Sequence, residues 1–304
     1  MHMSGRKRLA RQAGRHSLVD GIPFVVPVDC KKMSALMAAF PIDLEPAKDL
    51  LPGNEIHPLR LWNRGVLLVT VVDYRETVIG KYIEFSVAIA CTHGRAPAPR
   101  FIPVLLRDWF DVGQFVVDLP VSTEISVKGG KGIWGMPKHQ ANLDFTSSGG
   151  VVSSRYDLDG RMCMTIEVDQ PAFTGLPIQV GGANFSTFRG LLMKSYVYFS
   201  GKAGFTLGQS GAARLAIGDH PRVAHLKSLN VGSPIFTAYI PEARGMLDDY
   251  FETWFVSQAE PVTVRPEGLE TVVNLGLGQQ WLAPPGTAAE RARGELHARS
   301  TALS

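Results

Sequence analysis

The sequence contains no Gly-Lys-Ser/Thr step and no Gly-x-Ser-x-Gly, so neither a Walker phosphate loop nor a serine-hydrolase elbow is present. No apolar run approaches the ~18 residues of a membrane helix. Cysteine is scarce: Cys30, Cys91 and Cys163 are odd in number, far apart and set among apolar neighbours. That excludes a disulfide framework or a cysteine zinc site and fits buried, reduced thiols in a cytoplasmic protein. Two further histidines, His220 and His225, make too poor a set for a metal, so none is expected. Acids are missing from residues 1–19, which carry Arg6, Lys7, Arg8, Arg11 and Arg15. The remaining 26 bases face 28 acids, and a body so near neutrality offers no groove for nucleic acid.

What is present is a large apolar fraction, 45% of 304 residues against 19% charged, enough for a sizeable core. The segment 1–19 reads as a basic arm, 20–282 as one domain and 283–304, where apolar residues thin out, as a mobile tail. Lys31–Phe40 places Met33, Leu36, Met37 and Phe40 at helical spacing, and Met246–Phe255 is the best of the other helical segments. Gly65–Tyr74 is a β-branched run typical of a buried strand. Lys81–Cys91 alternates, with Ile83, Phe85, Val87 and Ile89 on one face and Tyr82, Glu84 and Ser86 on the other. Val151–Val168 predicts a hairpin turning at Asp159-Gly160. Ser195–Phe199, Ala212–Ile217 and Pro234–Ile240 complete the expected strands. Strands outnumber helices and no βαβ alternation occurs, so the expected fold is mainly β with peripheral helices: a closed or nearly closed antiparallel barrel.

The stretch KGGKGIWGMPKH, Lys128–His139, poses the functional question. Gly130-Lys131-Gly132-Ile133-Trp134-Gly135 has dinucleotide-loop spacing, but that loop needs a helix opening at its third glycine. Here Met136-Pro137 follows, and Asn142–Thr146 alternates like a strand, so no nucleotide cofactor is expected. The stretch instead delivers one amine, Lys138, beside Trp134, Met136 and Pro137. At the ordinary lysine pKa near 10.4, only about one amine in 2,500 is neutral at pH 7. Lowering it to ~7 requires roughly 4 kcal/mol of destabilisation of the ammonium, which burial can supply. A neutral amine attacks a carbonyl to form an imine, and the protonated imine accepts electrons from a breaking C–C bond.

These residues resemble the acetoacetate decarboxylase family. Gly135-Met136-Pro137-Lys138 is similar to its Gly-aromatic-Pro-Lys segment, and Gly80-Lys81-Tyr82-Ile83-Glu84 to its Gly-x-Tyr-x-Glu strand. His220-Pro221 and Val231–Asp249 resemble its closing strand. The resemblance implies Lys138 as Schiff-base nucleophile, Glu84 as acid or acid-positioning group, a barrel, a homo-oligomer, and no metal or organic cofactor. Tyr82, His139, Trp134 and Met136 are then expected around a small keto-acid substrate. His139 stands where the family commonly has a second lysine, and Gly130-Lys131-Gly132 replaces its Gly-Arg-Glu. The arginine of the Ile22–Val26 strand and the glutamate of the Gly65–Val72 strand, both found in decarboxylating members, are missing. The expected activity is therefore a cofactor-independent lyase, either decarboxylating a β-keto acid or acting as an aldolase-dehydratase through the same lysine. From another class, a non-catalytic barrel binding an apolar small molecule also fits.

Overall fold

The computed structural model describes residues 15–106, 109–257 and 279–280. Its elements all lie in the first of two compact units, Met1–Thr263 and Val264–Ser304. Both the boundary expected at 282/283 and the tail 283–304 lie outside the described residues.

Seven strands close the barrel: β3 (Val28–Ile42), β5 (Gly65–Thr77), β6 (Tyr82–His93), β7 (Val112–Val121), β13 (Leu176–Phe188), β14 (Leu191–Leu207) and β16 (Phe236–Phe255). Their order is β6-β5-β3-β16-β14-β13-β7, and the β6–β7 pairing returns to the start. Every seam is antiparallel except β7–β13, which is parallel. Closure leaves the wall with no free edge strand of its own. Short β4 (Ile56–Pro58) pairs with β6, and β8 (Lys138–Gln140) pairs in parallel with β7. A second sheet orders β10 (Thr146–Ser148), β11 (Val151–Leu158), β12 (Arg161–Asp169) and β15 (Ala213–Ile217), with β9 (Asn142–Leu143) also on β11. One continuous apolar core joins Leu36, Phe40, Val69 and Phe85 of the barrel to Tyr156, Met164 and Ile166 of that sheet.

The expected strands form, and the Asp159-Gly160 hairpin turns with both residues at positive φ. Two expected helices do not. Lys31–Phe40 lies within β3, paired to β5 and β16, and Met246–Phe255 is the second half of β16. The helical spacing of Met33, Leu36 and Phe40 arises because β3 is buried on both faces, so apolar residues need not alternate. Among the described residues the α-helices are α1 (Leu44–Asp49), α2 (Ile102–Leu105), α3 (Glu124–Trp134) and α4 (Pro221–Ala224). The N-terminal segment enters the fold sooner than residue 20: β1 (His16–Val19) pairs with β2 (Ile22–Val25), and Val19 and Phe24 are buried.

Along its edge opposite β6, β7 changes partner. Gln114 and Phe115 pair with β13, whereas Leu119–Val121 pair with β8. Between these stretches of chain, α3 connects β7 to β8. This junction positions the site.

Candidate active site

Helix α3 is the glycine-rich stretch itself. Glycine in a helix interior costs about 1 kcal/mol relative to alanine, yet Gly129, Gly130 and Gly132 all lie inside it. Close packing accounts for each. A Cβ on Gly129 would lie 2.8 Å from Phe24, one on Gly132 2.4 Å from Val19, and one on Gly130 2.3 Å from Cδ of Lys138. Gly135 then ends the helix at φ +60°, a left-handed turn that glycine makes without strain. Its N–H donates to the Lys131 carbonyl and that of Met136 to the Gly130 carbonyl. The third glycine of the dinucleotide-like spacing therefore closes a helix, the reverse of what a pyrophosphate site requires. Beyond Pro137 the chain enters β8 with the Lys138 stem laid across Gly130.

Lys138 is 5% exposed. Its Nζ lies 2.6 Å from Oε2 of Glu84 on β6 and donates to Oγ of Ser126 on α3 at 3.1 Å. It also stands 5.4 Å from the ring centre of Tyr82. Lysine and acid reach each other across β7, where Glu84 is opposite Val121 and Lys138 opposite Leu119. Tyr82 stacks on Tyr74 at 4.5 Å, and both rings are buried. Burial, then the Glu84 charge, pushes both phenols well above their ordinary range, so they stay protonated. Cys30 closes this wall, and burial followed by Glu84 pushes its thiol up as well. The arrangement is an amine with a carboxylate at proton-transfer distance, inside neutral hydroxyl, thiol and aromatic groups.

Lys138, Glu84 and Tyr82 thus come together, while the other expected residues do not join them. His139, next in the strand, turns the opposite way: its Nε2 lies 2.9 Å from the Tyr156 hydroxyl. Tyr156 donates to Asp118 at 3.2 Å, and Arg222 donates to Asp118 at 2.9 Å. Trp134 is held elsewhere, its indole donating to the Asp248 carbonyl at 2.9 Å and its own carbonyl accepting from Ser186. Met136 is buried in the turn that leaves α3. The sequence analysis missed Ser126 and Gly130, which meet the lysine from one helix face at i and i+4. Their signal was masked by glycines that argue against any helix there. Among the described residues, no group of three or more His, Cys, Asp or Glu side chains is arranged to hold a metal, and no helix is long and apolar enough to cross a membrane.

A search of curated protein sequences finds no match. Among solved structures, the acetoacetate decarboxylase of Legionella pneumophila superposes with TM-score 0.56 at 11% identity, covering 75% of this chain and 87% of its own. Another acetoacetate decarboxylase structure gives 0.57 at 13% identity, with 75% and 89% covered. The enduracididine biosynthesis enzyme MppR, bound to the condensation product of pyruvate and imidazole 4-carboxaldehyde, gives 0.53 at 13%, with 75% and 88% covered. These likenesses are of fold. The sequence profile of acetoacetate decarboxylase (ADC) matches residues 11–185. That is more than half of the 304 residues, and the chain belongs to the acetoacetate decarboxylase family.

Proposed function

We propose that the protein is a carbon–carbon lyase that binds a carbonyl substrate as an imine on Lys138. The observation that carries this reading is the 2.6 Å contact between the buried amine and Glu84. Family membership supports a decarboxylase or lyase type of enzyme. Glu84 takes the ammonium proton, and the free amine adds to the substrate carbonyl carbon. The carbonyl oxygen collects two protons and leaves as water, giving the protonated imine. The bond from the carbon next to the imine carbon to the departing fragment then breaks, and its electrons pass to the imine nitrogen to form an enamine. Glu84, reprotonated from solvent after giving its proton to the departing water, protonates the enamine carbon, and water hydrolyses the imine to release product and amine. With a β-keto acid such as acetoacetate the departing fragment is carbon dioxide, the family default.

A second reading, aldol-type chemistry with dehydration through the same lysine, is favoured by MppR, whose structure holds a pyruvate–aldehyde condensation product. Three buried free thiols support a cytoplasmic setting for either reaction. The test is to incubate the protein with acetoacetate and a panel of 2-keto acids and aldehydes, reduce with borohydride, and map the mass gain. An adduct at Lys138 that disappears in Lys138→Ala is expected. Absence of an adduct with every compound would leave a non-catalytic binding barrel.

A further inference from the structure

Strand β8, which carries Lys138, is weakly held by its own backbone. It has three residues, Lys138–Gln140, set in parallel against Leu119, Pro120 and Val121 of β7. Pro120 stands opposite His139 and brings no N–H to the ladder. Among the described residues no strand pairs with the other edge of β8. Side chains must therefore share in fixing the strand. Lys138 does so on one face through Glu84 and Ser126.

On the opposite face, His139 enters a cluster drawn from β8, β7, β11 and α4. Its Nε2 lies 2.9 Å from the Tyr156 hydroxyl, and its Nδ1 lies 3.5 Å from Oδ1 of Asp118. Oδ2 of Asp118 accepts from Tyr156 at 3.2 Å, and Oδ1 accepts from Nε of Arg222 at 2.9 Å. Asp118 is 4% exposed and Tyr156 fully buried. A carboxylate this deep is tolerated only where donors meet it, so the cluster holds together as a unit. Arg222 is aimed by α4, where the His220 side chain caps the helix by accepting from the Arg222 N–H at 3.3 Å. The His220-Pro221 pair of the sequence thus serves to bring a guanidinium to Asp118.

We propose that His139 is a positioning residue for Lys138: tied to Tyr156 and Asp118, it pins β8 where the amine meets Glu84. The effect on rate rests on the imine reading above; the pinning itself does not. Adjacent residues of a strand face opposite ways, so any shift of His139 on its side carries Lys138 with it on the other. The 2.6 Å contact of Nζ with Glu84 leaves little slack, and misplacement near 1 Å costs up to about 100-fold in rate. Pinning needs a polar group at position 139 that reaches Tyr156. Glutamine supplies an amide close to where the imidazole carries Nε2, and alanine supplies nothing.

The experiment uses the full chain with His139→Ala, His139→Gln, Tyr156→Phe, and the first and third combined. Amide hydrogen exchange of the peptide spanning Lys138–Ala141 reads the pinning without any imine, with β5 as the reference for global unfolding. Exchange is expected to quicken about tenfold in His139→Ala and Tyr156→Phe and to stay near the parent rate in His139→Gln. Borohydride trapping of acetoacetate and of pyruvate at Lys138 reads the consequence. Its maximum rate is expected to fall about tenfold in each truncation with the half-saturating concentration unchanged. The combined variant should fall no further, because the two residues act as one unit. Unchanged exchange in the truncations overturns the pinning, whether or not the parent forms an adduct. Quickened exchange with trapping at the parent rate overturns the positioning role, as does a glutamine variant no better than alanine or an additive fall in the combined variant. A parent that traps neither compound counts against the imine reading instead, and exchange alone then decides the pinning.

Discussion

A methyl group on Gly130 would sit 2.3 Å from Cδ and 2.7 Å from Cε of Lys138. Gly130→Ala adds helix propensity of about 1 kcal/mol but must push the amine off its line to Glu84. Such a displacement near 1 Å costs roughly 100-fold in rate. The expected result is a folded protein whose Lys138 trapping falls by about that factor, measured alongside a melting curve. His139 makes a different prediction. Burial lowers its imidazole below the ordinary value; Asp118 opposes this and Arg222 adds to it. As pH drops below ~6.5 the unfolded chain takes up the proton before the folded one, so stability falls, and it stops falling once the folded ring protonates. Urea midpoints should therefore decline between pH 7 and pH 5, and His139→Gln should flatten that decline. At this scale Lys138, Glu84 and Tyr82 were legible because each sits in a short pattern with chemical meaning. His139 misled because adjacency in sequence means opposite sides of a strand.

At the scale of elements, α3 and the β1–β2 hairpin form one unit that holds the amine from behind. Phe24 and Val19 occupy the space that side chains at 129 and 132 would need. Truncation by Phe24→Ala opens a cavity under the helix and should cost about 3 kcal/mol of unfolding free energy. Because α3 carries Ser126 and Gly130, trapping at Lys138 should weaken in the same variant; full trapping in a destabilised protein would separate the hairpin from the site. In β6 both faces are largely buried, yet the strand was readable because the faces differ in polarity, Tyr82, Glu84 and Ser86 lying opposite Ile83, Phe85 and Val87. Periodicity misreads β3, because burial on both faces erases alternation and leaves coincidental helical spacing.

Over the whole molecule, barrel closure also assembles a second polar cluster from residues as far apart in sequence as His93 and Glu252. Lys194 on β14 pairs with Asp111 and lies 3.6 Å from Glu252 on β16, and His93 on β6 reaches Asp111 at 3.0 Å. Burial would raise the Asp111 carboxyl, but hydrogen bonds from His93 and Lys194 outweigh it and hold it below its ordinary value. A carboxylate depressed in this way contributes stability that is present above its unfolded pKa of ~3.9 and is lost as pH falls through the folded value. Asp111→Asn leaves Lys194, 9% exposed, without its main partner and should cost about 3 kcal/mol. A denaturation series from pH 7 to pH 3 should show the gap between variant and parent narrowing in acid.

The sequence alone determined that the chain is a β-rich barrel former with a proline-delivered lysine and an acid on an alternating strand, because those features are local in period and spacing. Tertiary structure decided that β7 exchanges β13 for β8, that Gly130 leaves room on a helix face to seat the lysine while Gly129 and Gly132 admit Phe24 and Val19, and that Glu84 meets the amine at 2.6 Å. Those facts depend on contacts between segments some fifty residues apart, from Glu84 to Lys138. Only closure of the sheet brings such segments together.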